Sequence, residues 1–135
     1  MAFIWSKELE TGNTQIDGEH KQLIQAINDL LAACSSGKGR SEIEHTVDFL
    51  NQYTKTHFAH EQVLQIKSKY PDFVNHKRYH DEFIKVVDNI TGRLKTEGAT
   101  VQLVAEINKQ LGNWLVNHIK REDTKVAKHI KEQNK

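Results

Sequence analysis

The sequence predicts an all-α protein, an up-down-up-down antiparallel four-helix bundle with an irregular N-terminal arm. Three observations predict it. Four segments repeat apolar residues at spacings of three and four, the period of a single helix face. The residues between them are short runs of turn and cap types, so consecutive helices should run antiparallel. No segment alternates apolar and polar residues with the period of two that a half-buried strand needs.

Residues 1–17 form the arm, polar and interrupted by Gly12, with Phe3, Ile4 and Trp5 expected to pack back onto the bundle. The first helix, about 18–36, follows Asp17 as N-cap, repeats Leu23, Ile24, Ile27, Leu30 and Leu31, and ends at Gly37 and Gly39. The second, about 41–68, opens with Ser41 and Glu44 at capping-box spacing. Its stripe is Ile43, Val47, Leu50, His57, Glu61 and Leu64, and it stops before Tyr70-Pro71. Pro71 suits the first turn of the third, about 71–97, because proline has no N–H to leave unpaired there. Its inward face is Phe73, His76, His80, Phe83, Val87, Ile90 and Leu94, and Gly98 closes it. Thr100 caps the fourth, about 100–131, with Val104, Ile107, Leu111, Trp114 and His118 in register.

Composition narrows the function. A chain of 135 residues, 37% hydrophobic and 27% charged, fits one globular domain over 1–135. Its net charge of +1 is spread along the chain, with no basic stripe to neutralise nucleic-acid phosphates. The apolar run Ala2 to Trp5 is too short for a signal-peptide core, and no stretch approaches the roughly 20 apolar residues of a membrane span. Cys34 is the one cysteine, so no intramolecular disulfide points to an oxidising compartment, and a cytoplasmic location is expected.

Histidine stands out, with eight residues against one proline and one methionine. Every helical stripe is interrupted by metal-ligand types: His20 in the first, His57 and Glu61 in the second, His76 and His80 in the third, His118 in the fourth. Burying these groups without partners would cost several kcal/mol each, whereas coordination satisfies their lone pairs. The i, i+4 spacing sets His57 over Glu61 and His76 over His80, one pair to a helix face. In the predicted topology the starts of helices one and three share an end with the finishes of helices two and four. His20, His76 and His80 lie near starts; His57, Glu61, His118 and Asp123 lie near finishes, so all seven can converge.

Asp123 poses a geometric problem. Five residues after His118, it is turned about 140° away on an ideal helix of 3.6 residues per turn. A π-type bulge or a broad metal pair would remove the difficulty, while Glu122 and Arg121 sit nearer to conventional partner positions. Geometry alone leaves that choice open. His45, His60 and His129 match no ligand position. Imidazole and carboxylate donors without thiolate suit iron, with manganese and zinc as competitors.

The sequence resembles the hemerythrin family over nearly its whole length. The resemblance rests on Gly18-Glu19-His20, the HxxxE of His57 and Glu61, the HxxxH of His76 and His80, and the HxxxxD of His118 and Asp123. It implies Asp123 as a ligand, with His76, His80 and His118 on one iron and His20 and His57 on the other. Glu61 and Asp123 would bridge the two iron ions together with an oxo or hydroxo group, leaving one open position for dioxygen. The implied oxygen pocket is Leu23, Phe58, Trp114, Leu115 and Ile119. Gln62 and Gln65 stand where the family tends to have a second acidic residue and a methionine.

The implied function is reversible dioxygen binding, without catalysis, for oxygen carriage, storage or delivery to a recipient the sequence does not identify. The alternatives are oxygen or redox sensing, and oxidoreductase chemistry on peroxide or nitric oxide.

Overall fold

The computed structural model describes residues 3–36 and 39–133, and the described residues are helical with no strand. Helix α1 spans Thr14–Ser35, α2 Arg40–Lys67 and α3 Phe73–Glu97. The fourth, α4, is a continuous run over 101–133. Within it the segments Ile107–Asn113 and Ile119–Asp123 are wound as π-helix, with regular α-helix before, between and after them. The helices pack as a four-helix bundle, α1 on α2 and α2 on α3, with α4 closing the ring against α1 and α3. None is long and apolar enough to cross a membrane.

The caps differ from the sequence reading in three places. Helix α1 starts four residues before 18, because Asn13 rather than Asp17 caps it, accepting from the Ile16 N–H at 3.0 Å. Asp17 instead accepts from the N–H and hydroxyl of Thr11, at 2.9 and 2.7 Å, and so ties the arm to the first turn. At α2 the Ser41–Glu44 box does not form. Extended Gly39 is the N-cap, its carbonyl accepting from Glu42 and Ile43 at 3.1 and 3.3 Å, so Gly39 begins α2 rather than ending α1. Gly37 lies outside the described residues. Pro71 falls in the turn before α3, whose N-cap is Asp72. Thr100 caps α4 as expected, accepting from the Leu103 N–H at 3.1 Å. Gly98 closes α3 with φ 80°, a left-handed conformation that costs glycine little.

One continuous core fills the bundle, including Leu30, Val47, Leu50, Val87, Ile90, Leu94, Leu103 and Ile107. The stripe of α2 departs from expectation at its end, where Gln65 is buried and Leu64 is only half-buried. The arm packs onto this core through Phe3, Trp5 and Leu9, but Ile4 points into solvent, 80% exposed. Asn28 clasps the arm, accepting from the Phe3 N–H and donating to its carbonyl, both at 2.8 Å. The Phe3 ring occupies the space left by the missing side chain of Gly112, where a methyl group would overlap it. The arm's short 3₁₀ turn, Lys7–Leu9, lies against the π-wound segment Ile119–Asp123.

Candidate metal centre

The seven ligand candidates come together at one level of the bundle. Their nitrogen and oxygen atoms form two groups, His76, His80, His118 and Asp123 in one and His20, His57, Glu61 and Asp123 in the other. Within each group the ligand atoms lie within 4.8 Å of one another. All seven residues are buried; His118 is the most exposed at 6%, and the other six are at 1% or less.

The carboxylates straddle the two groups. Asp123 Oδ2 lies 2.9 Å from His20 Nε2, while its Oδ1 lies 3.0 Å from His76 Nε2 and 3.2 Å from His118 Nε2. Glu61 Oε2 faces His57 Nε2 at 2.5 Å and His20 Nε2 at 3.2 Å, and its Oε1 faces His76 Nε2 at 3.4 Å. The π winding of Ile119–Asp123 is what lets Asp123 take this place, because a wider turn brings the fifth residue after His118 back toward the same face. The second π stretch, Ile107–Asn113, was not expected from the sequence.

These residues fit a pair of metal ions. Despite the short distances, both ring nitrogens of His76 and His80, Nε2 of His57 and His118, Oε1 of Glu61 and both Asp123 oxygens have no hydrogen-bond partner among the described residues. Buried polar atoms are ordinarily paired, so a shell of converging unpaired donors is what coordination requires. The electrostatics agree. Burial alone would neutralise the rings, but Asp123 and Glu61 outweigh it and hold His20 up at about 10 and His76 at about 9. The neighbouring rings in turn keep both carboxylates well below the usual range against the cost of burial, His57 and His20 at Glu61 and His118, His20 and His76 at Asp123. His80 goes the other way: burial and the neighbouring His76 and His118 push it down to about 3.

These shifts fix a pH dependence for the metal-free protein. His20 and His76 titrate higher folded than unfolded, so the stability they contribute is complete below about 6.5 and is lost as pH rises through 9 and 10. His80 has the opposite sign and costs stability as pH falls below about 6.5. Thermal melts of metal-free protein should therefore decline on the alkaline side between about 6.5 and 10. The metal-loaded protein should lose much less there, since coordinated imidazoles carry no proton on the bound nitrogen.

Beyond the ligands, Glu19 is the residue that sequence reasoning missed, although it stands in the Gly18-Glu19-His20 run. Its Oε1 accepts from His57 Nδ1 at 2.7 Å, which leaves Nε2 of that ring free to face Glu61. Its Oε2 accepts from the exposed His60 at 2.8 Å, so His60 is bound into the site's surroundings rather than being an ordinary surface residue. Both histidines outweigh the effect of burial and lower the Glu19 carboxyl to about 2. His129 clasps the bundle end, donating to the Ser68 carbonyl at 2.6 Å. Gln65, one turn past Glu61, is fully buried with neither amide atom partnered among the described residues.

Of the five oxygen-pocket positions, Leu23, Leu115 and Ile119 are buried in the core cluster beside His20 and His118. Phe58, buried in the same cluster, and the half-buried Trp114 lie flat on the three-histidine group. The Phe58 ring stacks on His80 at 3.7 Å between centroids, and Trp114 stacks on His118 at 4.6 Å.

Comparison with known proteins points the same way. The family model described as the hemerythrin HHE cation binding domain matches residues 11–130. A bacteriohemerythrin of Stenotrophomonas maltophilia is 33% identical over 128 residues, covering 95% of this chain and 81% of the relative. Hemerythrin subunit 1 of Golfingia vulgaris is 32% identical over 128 residues, covering 95% and 93%. A crystal structure of wild-type hemerythrin superposes with a TM-score of 0.81 at 30% identity, over 92% of this chain and 94% of that one. With a family match over most of its length and the cation-binding residue types gathered in its core, this chain belongs to the hemerythrin family.

Proposed function

We propose that this chain binds dioxygen reversibly at a di-iron centre and serves as an oxygen carrier, store or delivery protein rather than an enzyme. His76, His80 and His118 would hold one iron, His20 and His57 the other, and Glu61 and Asp123 would bridge them. A bound iron pair supplies the two electrons that hold dioxygen and takes them back on release. The carrying observation is the way each carboxylate turns one oxygen to each histidine group, three rings on one side and two on the other. With three rings to one iron and two to the other, the His20/His57 side would be the one able to take dioxygen.

The chain's own residues do the rest. Glu19 orients the His57 ring through Nδ1. Leu23, Leu115 and Ile119 offer no proton donor and exclude water from the centre. That supports binding and release over chemistry on a bound substrate. We read the chain as one hemerythrin-like domain, and its half-buried lone Cys34 is consistent with a reducing cytoplasm.

The test is a cycle of oxygenation. Reduced, iron-loaded protein should gain a visible absorption band under air and lose it under vacuum over repeated cycles. Protein that becomes irreversibly ferric in one cycle, or that turns over peroxide or nitric oxide rapidly, would replace this reading with the oxidoreductase one.

A further inference from the structure

Six of the seven ligand candidates are sealed, and one reaches the surface. His118 borders an open cleft of about 360 Å³, lined also by Tyr79, Trp114, Asn117, Arg121 and Glu122. Its ring is sandwiched into an aromatic series: Trp114 stacks on it at 4.6 Å and 11°, Phe83 stacks on Trp114 at 4.3 Å and 20°, and Tyr79 meets it edge-on at 6.1 Å. The cleft therefore ends on a side chain that is itself one of the ligand candidates.

The charge around it has a sign. Arg121 lines the cleft, and Arg78 lies over the Tyr79 ring at 5.7 Å; neither has an ion-pair partner among the described residues. The acidic lining residue, Glu122, is already faced by Lys125 at 3.8 Å. Arg121 on the cleft wall and Arg78 against the ring of Tyr79, which lines the cleft, put two guanidinium groups at its rim beside one half-buried aromatic wall, an arrangement that suits a planar aromatic molecule carrying an anionic group.

We infer that this cleft is the electron-exchange site of the protein, where an anionic aromatic reductant docks and returns the oxidised centre to its reduced state through His118. This rests on the di-iron reading for its electron step but not for its binding step. The donor, of dihydroflavin class, gives up two electrons to the centre and its two protons to solvent at the open cleft, and leaves as the oxidised ring. The electrons convert two ferric ions to two ferrous ions, and no bond forms between donor and metal. The lining of the cleft differs from the apolar Leu23, Leu115 and Ile119: here charged and polar groups select a donor too large to enter the core.

Reduced flavin mononucleotide is the probe, with Arg78→Glu and Arg121→Glu as variants. Arg78 is exposed on α3, is not a ligand candidate and lies outside the π-wound turn, so its variant keeps the test available should Arg121→Glu disturb folding. Each variant should slow reduction of the ferric protein by roughly tenfold at low ionic strength, a typical size for electrostatic steering, and added salt should close the gap. Reduction by the methyl viologen radical cation, one electron at a time, should stay level or become faster. Wild-type protein without metal should quench flavin fluorescence, and the variants should do so more weakly. That arm reads the cleft even in protein that fails to take up iron. Equal flavin rates in wild type and variants, or a loss that is the same for both reductants, overturns the proposal.

Discussion

Replacing His118 or His76 with alanine is expected to reduce bound iron from two per chain toward one or none, and to lower the melting temperature of the loaded protein by about 10 °C or more. The size follows from linkage: a ligand at a hundred times its dissociation constant stabilises the fold by about 2.7 kcal/mol, and for a domain of this size each kcal/mol is worth roughly 4 °C. The melting temperature of the metal-free protein separates coordination from simple packing. His118→Ala is the cleaner case, because His118 leaves Nε2 without a hydrogen-bond partner there and alanine removes a costly orphan along with some van der Waals contact, whereas His76→Ala also removes the ion pairs with Asp123 and Glu61. The loss in metal-free protein should be much smaller than in loaded protein. Iron content measured by mass spectrometry and paired melting curves check this; equal losses in both forms, with two irons retained, would count against the centre.

Replacing Ile119 with glutamate is expected to shorten the lifetime of the oxygenated form by roughly tenfold or more, which corresponds to about 1.4 kcal/mol of barrier. Ile119 is completely buried, one residue after His118 and at the start of the π-wound turn. A carboxyl group there supplies a proton donor and draws water into a wall that otherwise holds only hydrocarbon. Ile119→Ala should act more weakly, opening space without a donor. Iron content should stay near two per chain in both, and the decay of the oxygenated absorption band gives the rate. A wild type that decays as fast as Ile119→Glu would remove the apolar wall from the account and leave the oxidoreductase alternative ahead.

Much of the fold was legible because helix periodicity is a local property. Leu23, Ile27 and Leu30 face the core because they recur at three and four, and the same arithmetic turns His57 with Glu61 and His76 with His80 inward. The cap positions were less legible. Asp17 and Ser41 are good capping types and Pro71 a good first-turn residue, yet Asn13 and Gly39 became the caps of α1 and α2, and Pro71 fell in the turn before α3, whose N-cap is Asp72. Several residues near a helix start can satisfy the same free N–H groups, and tertiary contacts choose among them.

At the site, the sequence by itself determined which residue types enter the core and on which helices, since an imidazole placed on an apolar stripe can go nowhere else. Only the tertiary structure decided how Asp123 reaches the centre. An ideal helix turns it away, and the π-wound segment that turns it back lies against Lys7–Leu9, a stretch more than a hundred residues earlier. The same holds for Glu19, whose carboxylate meets His57 and His60 across 38 and 41 residues, and for Phe3, which fills the space over Gly112. A side chain's direction follows from its own helix, whereas a change in helical winding or a hydrogen bond between helices depends on which distant surface packs against it.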